Sequence, residues 1–267
     1  MSVITPTPPR TTNPVARLAR AVTKSSPFWS LIVWAALWEI VGQLGIIDLI
    51  PPLSSVVMAM GDLFERQSFW DALWLTARTF AIGLLLSILV GVPIGLLMGL
   101  RKRADQLLSM WVNLFLSAPL TAVVPALMPL LGIGEATIIA TVFLFSVWVV
   151  ILDTQAGVLH VSPSLVEMGR VFGARRRTII WSIVVPAALP EMVTGIRLAV
   201  IRAVKGVIVG QIIIALIGFG GLFDTYLSMF LMERFWALII VVFVLSFTLI
   251  GIVGALERRI AFYAGTR

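Results

Sequence analysis

Val158-Leu-His-Val-Ser-Pro-Ser-Leu-Val-Glu-Met-Gly-Arg-Val-Phe-Gly-Ala-Arg-Arg-Arg-Thr-Ile-Ile-Trp-Ser-Ile-Val-Val-Pro186 is an arginine-bearing break between two long apolar stretches. It is patterned, not random. Ser162-Pro163 is a helix start, because a first-turn proline has no N–H to satisfy. Leu165, Met168, Val171 and Phe172 then recur at helical spacing on one face. Gly173 is placed to stop that helix, since glycine enters the left-handed region without strain. A second short helix, Arg176 to Ile183, is expected to run to Pro186. The reading is two short helices joined by a Gly-Ala corner. Arginines alone would suit lipid head groups. The apolar stripe beside a sharp corner suits a protein partner.

Working outward, the flanking stretches require lipid. The chain has 267 residues, 60% of them hydrophobic and only 12% charged, where an ordinary soluble domain carries about 25% charged residues. A soluble core of this size could not hide that much apolar surface. A bilayer core needs about 20 apolar residues per helix. Candidate spans are 28–47, 76–100, 106–131, 135–157, 188–216 and 235–257. The expectation is an all-α membrane protein of about six transmembrane helices, its membrane body covering 28–257. The third span is interrupted by Pro119, Pro125 and Pro129. Residues 28–47 are too long for a signal-peptide core and contain Glu39.

Charge orients the spans. With both termini in the cytoplasm, four segments lie inside. They collect Arg10, Arg17, Arg20 and Lys24; Arg101, Lys102 and Arg103; Arg170, Arg175, Arg176 and Arg177; and Arg258, Arg259 and Arg267. That is most of the 20 basic residues, as the positive-inside rule requires. It also accounts for the net charge of +7 without nucleic acid. Residues 1–27 form an inner tail in which Val15–Lys24 is either a short interfacial helix or merely basic. Residues 258–267 form the other tail, and the loop spans 158–186. The outer segment 48–75 is amphipathic instead of spanning. Gly91, Gly95 and Gly99 make a small-residue stripe suited to close helix packing.

Several chemistries are excluded. There is no cysteine and a single histidine, His160, so thiol chemistry and multi-histidine metal sites are out. No G-x-x-x-x-G-K-[ST] is present, so this chain does not bind ATP. Neither His-Glu-x-x-His nor Gly-x-Ser-x-Gly occurs, which argues against an enzyme.

The loop also carries a spaced pattern: Glu167-Met-Gly, three residues, Gly173, nine residues, Ile183-Val-Val-Pro186. It resembles the E-A-A, three residues, G, nine residues, I-x-L-P signature of binding-protein-dependent ABC importer permeases. Met168 and Gly169 replace the two alanines, and Val185 replaces the leucine. The Gly-Val-Pro-Ile-Gly run within Leu84–Leu100, Ala118-Pro119 through Gly132-Ile-Gly134, Pro186-Ala-Ala-Leu-Pro190, Gly195-Ile-Arg197 and Leu256-Glu-Arg-Arg259 look like that family too, in its nitrate, taurine and sulfonate branch. The resemblance implies the type I ABC importer permease fold with a cytoplasmic coupling helix. It implies that Leu165, Glu167, Met168, Gly169, Phe172, Gly173, Ala174, Arg175 and Arg176 dock a separate nucleotide-binding ATPase, present in two copies. ATP and Mg would sit on that partner, and this chain would bind no cofactor. A second permease copy, an extracytoplasmic substrate-binding protein and a bacterial cytoplasmic (inner) membrane are implied as well.

Charges inside a span face a cavity or a partner. Arg202 and Lys205 lie three apart in span five, and so share a face. Lys205 is unusual against related permeases, and Gln211 stands where they often carry glutamate. One reading is a cavity for a small anion such as a sulfonate, nitrate or organic acid, with Pro119, Thr121, Asp153, Arg202, Lys205 and Gln211 along the path. The other is that Arg202 and Lys205 pair with Asp153, Glu39 or backbone carbonyls. The prolines of span three either line a watery gate or simply kink the helix. The alternatives to an anion importer are a secondary carrier or channel subunit, or the same ABC role for a neutral heterocycle.

Overall fold

A computed structural model describes the backbone of residues 14–214 and 216–265, and the side chains of 29–214 and 216–255. The residues expected to form the outer parts of both tails, 1–13 and 266–267, lie outside it. So do the side chains of the expected interfacial helix at Val15–Lys24 and of Leu256-Glu-Arg-Arg259.

Among the described residues every regular element is helical: α1 (Pro14–Gln43), α2 (Leu53–Glu65), α3 (Gln67–Leu100), α4 (Lys102–Ser117), α5 (Val124–Leu131), α6 (Glu135–Leu159), α7 (Pro163–Val171), α8 (Arg176–Ile179), α9 (Val185–Ile214), α10 (Gly218–Ser228) and α11 (Met232–Gly265). The chain divides into two compact units, residues 1–59 and 60–267.

In the first unit α1 turns back at Gly42–Pro52. The Glu39 carboxylate accepts from the Ser54 N–H (2.9 Å), the Ser54 hydroxyl (2.8 Å) and the Gln43 amide (2.7 Å). It thereby satisfies an orphan N–H at the start of α2, the place where an anion is most favourable. The Trp38 indole donates to the Pro51 carbonyl at 3.0 Å.

In the second unit α6 lies between α3 and α9. The α3 glycines make this approach possible. A methyl at Gly95 would sit 2.5 Å from the Ile151 carbonyl and 2.6 Å from Thr154 Cβ, and Gly83, Gly91 and Gly99 likewise face α6. The small-residue stripe therefore serves packing. A hydroxyl pair, Ser87–Ser146 at 2.7 Å, ties the same two helices. The core beneath is aliphatic: Ile138 and Val142 of α6 meet Ala203, Val207 and Ile214 of α9.

Four helical stretches are long and apolar enough to span a membrane among the described residues: Gln67–Leu100, Glu135–Leu159, Arg176–Ile214 and Met232–Ala255. α4 and α5 form a fifth only as a pair bent by 85°. The expected first span lies in α1, whose helix ends at Gln43, before the expected end at Ile47.

Three boundaries differ from expectation. The second span starts at Gln67, so residues 67–75 belong to it and not to the outer amphipathic segment. The third breaks at Ala118–Pro119 only. Pro125 sits in the first turn of α5, where its missing N–H costs nothing, and Pro129 lies within α5 without stopping it. The fifth starts at Arg176, because Pro186 does not end the second loop helix. A π turn at Ile180–Val184 precedes it, and helix continues through α8 and α9. The wider turn shifts the carbonyl register just where the proline has no N–H to offer.

Candidate functional site

The loop helix α7 begins as the sequence predicts, with Ser162 before it and Pro163 at its first position. It ends in a Schellman turn. The Gly173 N–H donates to the Arg170 carbonyl and the Ala174 N–H to the Gly169 carbonyl, both at 2.9 Å. Gly173 has φ +73° with open space where a Cβ would go. The demand for glycine there is conformational and not steric.

The corner splits the candidate docking residues between two faces. Leu165, Met168, Val171 and Phe172 point outward, and Val171 and Phe172 are 85% and 83% exposed. Glu167, Gly173 and Arg175 are exposed beside them. Gly169 turns the other way and is buried, 2.7 Å from the Ile183 Cδ1 at its Cβ position. Ala174 packs inward on Ile179, Val184 and Ala188, and Arg176 lines a crevice on that same inner side. An apolar stripe this exposed has no partner within the described chain. Stripes of this kind mark interaction sites.

The base of the loop is fastened. His160 Nδ1 lies 2.7 Å from Glu191 Oε1, joining the end of α6 to α9. His160 is thus a tie between the two helices. Gln155 donates to Asp105 at 2.7 Å, joining α6 to α4.

The six candidate path residues do not gather in one place. Pro119 and Thr121 are exposed at the α4–α5 bend. Asp153 is half-buried on α6, with Oδ2 enclosed and unbonded among the described residues; a Cβ at Gly195 would lie 2.5 Å from its own. Arg202 and Lys205 are both exposed on one face of α9 and make no ion pair with Asp153. Glu39 is engaged by Ser54 and Gln43. Lys205 borders an apolar crevice of 480 Å³ with Ile208, Phe223, Ile239 and Phe243.

Gln211 is elsewhere. At about 100° per residue it lies opposite Arg202 on the helix. It is fully buried. Its amide N–H donates to the Thr76 hydroxyl (2.9 Å), and its oxygen accepts the Phe219 N–H (3.2 Å). It ties α9 to α3 and to the start of α10. The turn there is glycine-built, since a methyl at Gly220 would lie 1.9 Å from the Gln211 carbonyl. Thr76 escaped sequence reasoning entirely. The signal was a lone glutamine in an apolar span followed by Gly218-Phe-Gly-Gly221.

A family profile described as the binding-protein-dependent transport system inner membrane component matches residues 91–262, which takes in the loop, α9 and most of α11. The chain belongs to this family. The permease is 28% identical over 255 residues to the taurine transport system permease protein TauC of Escherichia coli (strain K12), covering 93% of this chain and 92% of that one. It is 28% identical over 251 residues to the bicarbonate transport system permease protein CmpB of Synechocystis sp., covering 88% and 86%. Its fold is similar to a chain of the MetNI methionine ABC transporter solved in inward facing conformations. The TM-score there is 0.61 at 19% identity, over 74% of this chain and 95% of that one. The permease is therefore an ABC importer subunit and a transport protein, not an enzyme.

Proposed function

We propose that the permease forms the membrane path for a small anionic solute (a sulfonate such as taurine, nitrate or an organic acid) and is driven by a separate ATPase subunit seated on α7. Support for the drive is the outward stripe Leu165, Met168, Val171 and Phe172, flanked by Glu167, Gly173 and Arg175. Relatives whose names specify taurine and bicarbonate support the anion. The observation that carries the anion reading within this chain is the exposed pair Arg202 and Lys205. They are two cations on one face of a spanning helix, and neither forms an ion pair among the described residues. A cation held in a span without a counter-charge is a place for an anionic ligand.

In this reading two permease copies assemble, each with one ATPase subunit that binds ATP and Mg. The tails and the α6–α9 loop face the cytoplasm of a bacterial inner membrane. An extracytoplasmic binding protein delivers the solute. Pro119 and Thr121, at the bend between α4 and α5, and Asp153, beside Gly195, are the remaining path candidates; Gln211 holds α10 in place.

The test is uptake in proteoliposomes containing the permease with the ATPase and binding protein that co-purify with it. Lys205→Glu should lower uptake of a sulfonate severalfold or more while the complex still assembles. Unchanged uptake kinetics would remove the anion reading, and is the outcome a neutral heterocyclic substrate would give.

A further inference from the structure

Behind α7 lies a crevice of 470 Å³ on the side away from the outward stripe, with Ala174 and Arg176 of the implied docking set in its lining. Its walls are aliphatic: Leu100 at the end of α3, Val158 at the end of α6, Val166 on α7, and Ile179 and Val184 beyond the corner. Two arginines, Arg170 and Arg176, join the lining, and both are exposed. Among the described residues neither is ion-paired. Three more cations, Arg101, Lys102 and Arg103, follow Leu100 directly and are exposed, as are Arg175 and Arg177. The acidic groups nearby are mostly engaged: Asp105 accepts from Gln155, and Glu191 faces His160. Glu167, one turn before Arg170, is exposed with no ion pair among the described residues and leaves the local balance strongly positive.

We propose that this crevice binds an anionic phospholipid, its phosphate between Arg170 and Arg176 and an acyl chain along Val158, Val166 and Ile179. The chemistry of the lining decides the class. A free phosphate would gain nothing from aliphatic walls and would lose water to enter them. A zwitterionic lipid offers a phosphate too but brings its own cation beside the arginines, which repel it. An amphiphile with an anionic head matches both halves, and the crevice sits where α3 and α6 end, beside the basic cluster that the positive-inside rule turns toward the cytoplasmic leaflet. It is also distinct from the ATPase-docking face. At about 100° per residue, Val166 and Arg170 lie across α7 from Met168 and Phe172. The lipid would wedge the coupling helix from behind, so that bilayer composition bears on how firmly α7 is held. The site itself does not depend on ATPase docking.

Native mass spectrometry of the detergent-solubilised permease, with added dioleoylphosphatidylglycerol or dioleoylphosphatidylcholine, tests the proposal. Two surface arginines at about fivefold each should give the anionic lipid a preference of about 25-fold. Arg170→Gln with Arg176→Gln should abolish that preference. The paired lysine variants should keep most of it, and Arg175→Gln should leave it intact. A double glutamine variant that retains the preference overturns the proposal. Displacement of the lipid by excess inorganic phosphate overturns it in favour of a free-anion site. Reduced recovery of the ATPase subunit with unchanged lipid selectivity overturns it in favour of a protein contact. If the double glutamine variant does not accumulate, Arg176→Gln alone should lower the preference about fivefold, and no change there is equally fatal.

Discussion

Phe172→Ala separates docking from folding more sharply than any other substitution in the loop. The Phe172 ring is 83% exposed at the end of α7, so its removal takes almost nothing from the permease's own packing. Its backbone is an ordinary helix-end conformation, φ −77° and ψ 9°, which alanine adopts freely. Stability of the isolated permease should therefore stay within about 0.5 kcal/mol of wild type. Docking is a different matter. Taking a phenylalanine side chain from exposed to buried contributes about 2–3 kcal/mol. The ATPase subunit should then bind roughly 30- to 150-fold more weakly. Titrating the ATPase subunit onto permease held in lipid nanodiscs, with a parallel thermal melt, reads both quantities. Ile179→Ala is the opposing control. Ile179 is buried beneath the same corner and should cost about 2–5 kcal/mol of fold stability. ATPase affinity unchanged in Phe172→Ala, or a melting point lowered as far as in Ile179→Ala, would refute the assignment of this face to docking.

Gly95→Ala should destabilise the bundle by about 1–3 kcal/mol, because its methyl meets the Ile151 carbonyl at 2.5 Å; Gly61→Ala on α2, with open space at the Cβ position, should be neutral or slightly stabilising, and equal melts in detergent would contradict this. Gln211→Leu leaves the Phe219 N–H without its partner, while the Thr76 hydroxyl keeps the Ala72 carbonyl, at about 1–3 kcal/mol; hydrogen exchange should rise at the start of α10, and an unchanged pattern would mean the clasp holds nothing. Gly173→Ala meets no atom within 4 Å, so its cost is the φ of +73° alone, about 1–2 kcal/mol. That cost should loosen the corner, seen as faster proteolysis at residues 172–176 with the bundle melt unchanged.

Much of this protein is legible in its sequence because hydropathy and backbone chemistry are local. Apolar runs of bilayer length could only be helices in lipid, since no other open structure satisfies its own N–H and C=O groups there. Ser162-Pro163 and Gly173 mark a helix start and stop through their own dihedral preferences, and α7 lies between them. The Glu167, Gly173, Ile183 and Pro186 spacing pointed to the family that the profile match and the relatives then showed.

Tertiary structure decided the rest, because it depends on which face meets which neighbour. Pro186 looked like a stop, yet a π turn before it carries the helix through. Gly169 and Phe172 both stood in the docking set that the resemblance implied; packing against Ile183 buries the first, while the second stays in the open. Arg202, Lys205 and Gln211 share a span, but 100° per residue and the neighbours Thr76 and Phe219 turn the glutamine into a buried tie while the two cations stay exposed. Periodicity says that a helix has faces. Only the packed bundle says what each face touches, and a polar side chain's role follows from that contact.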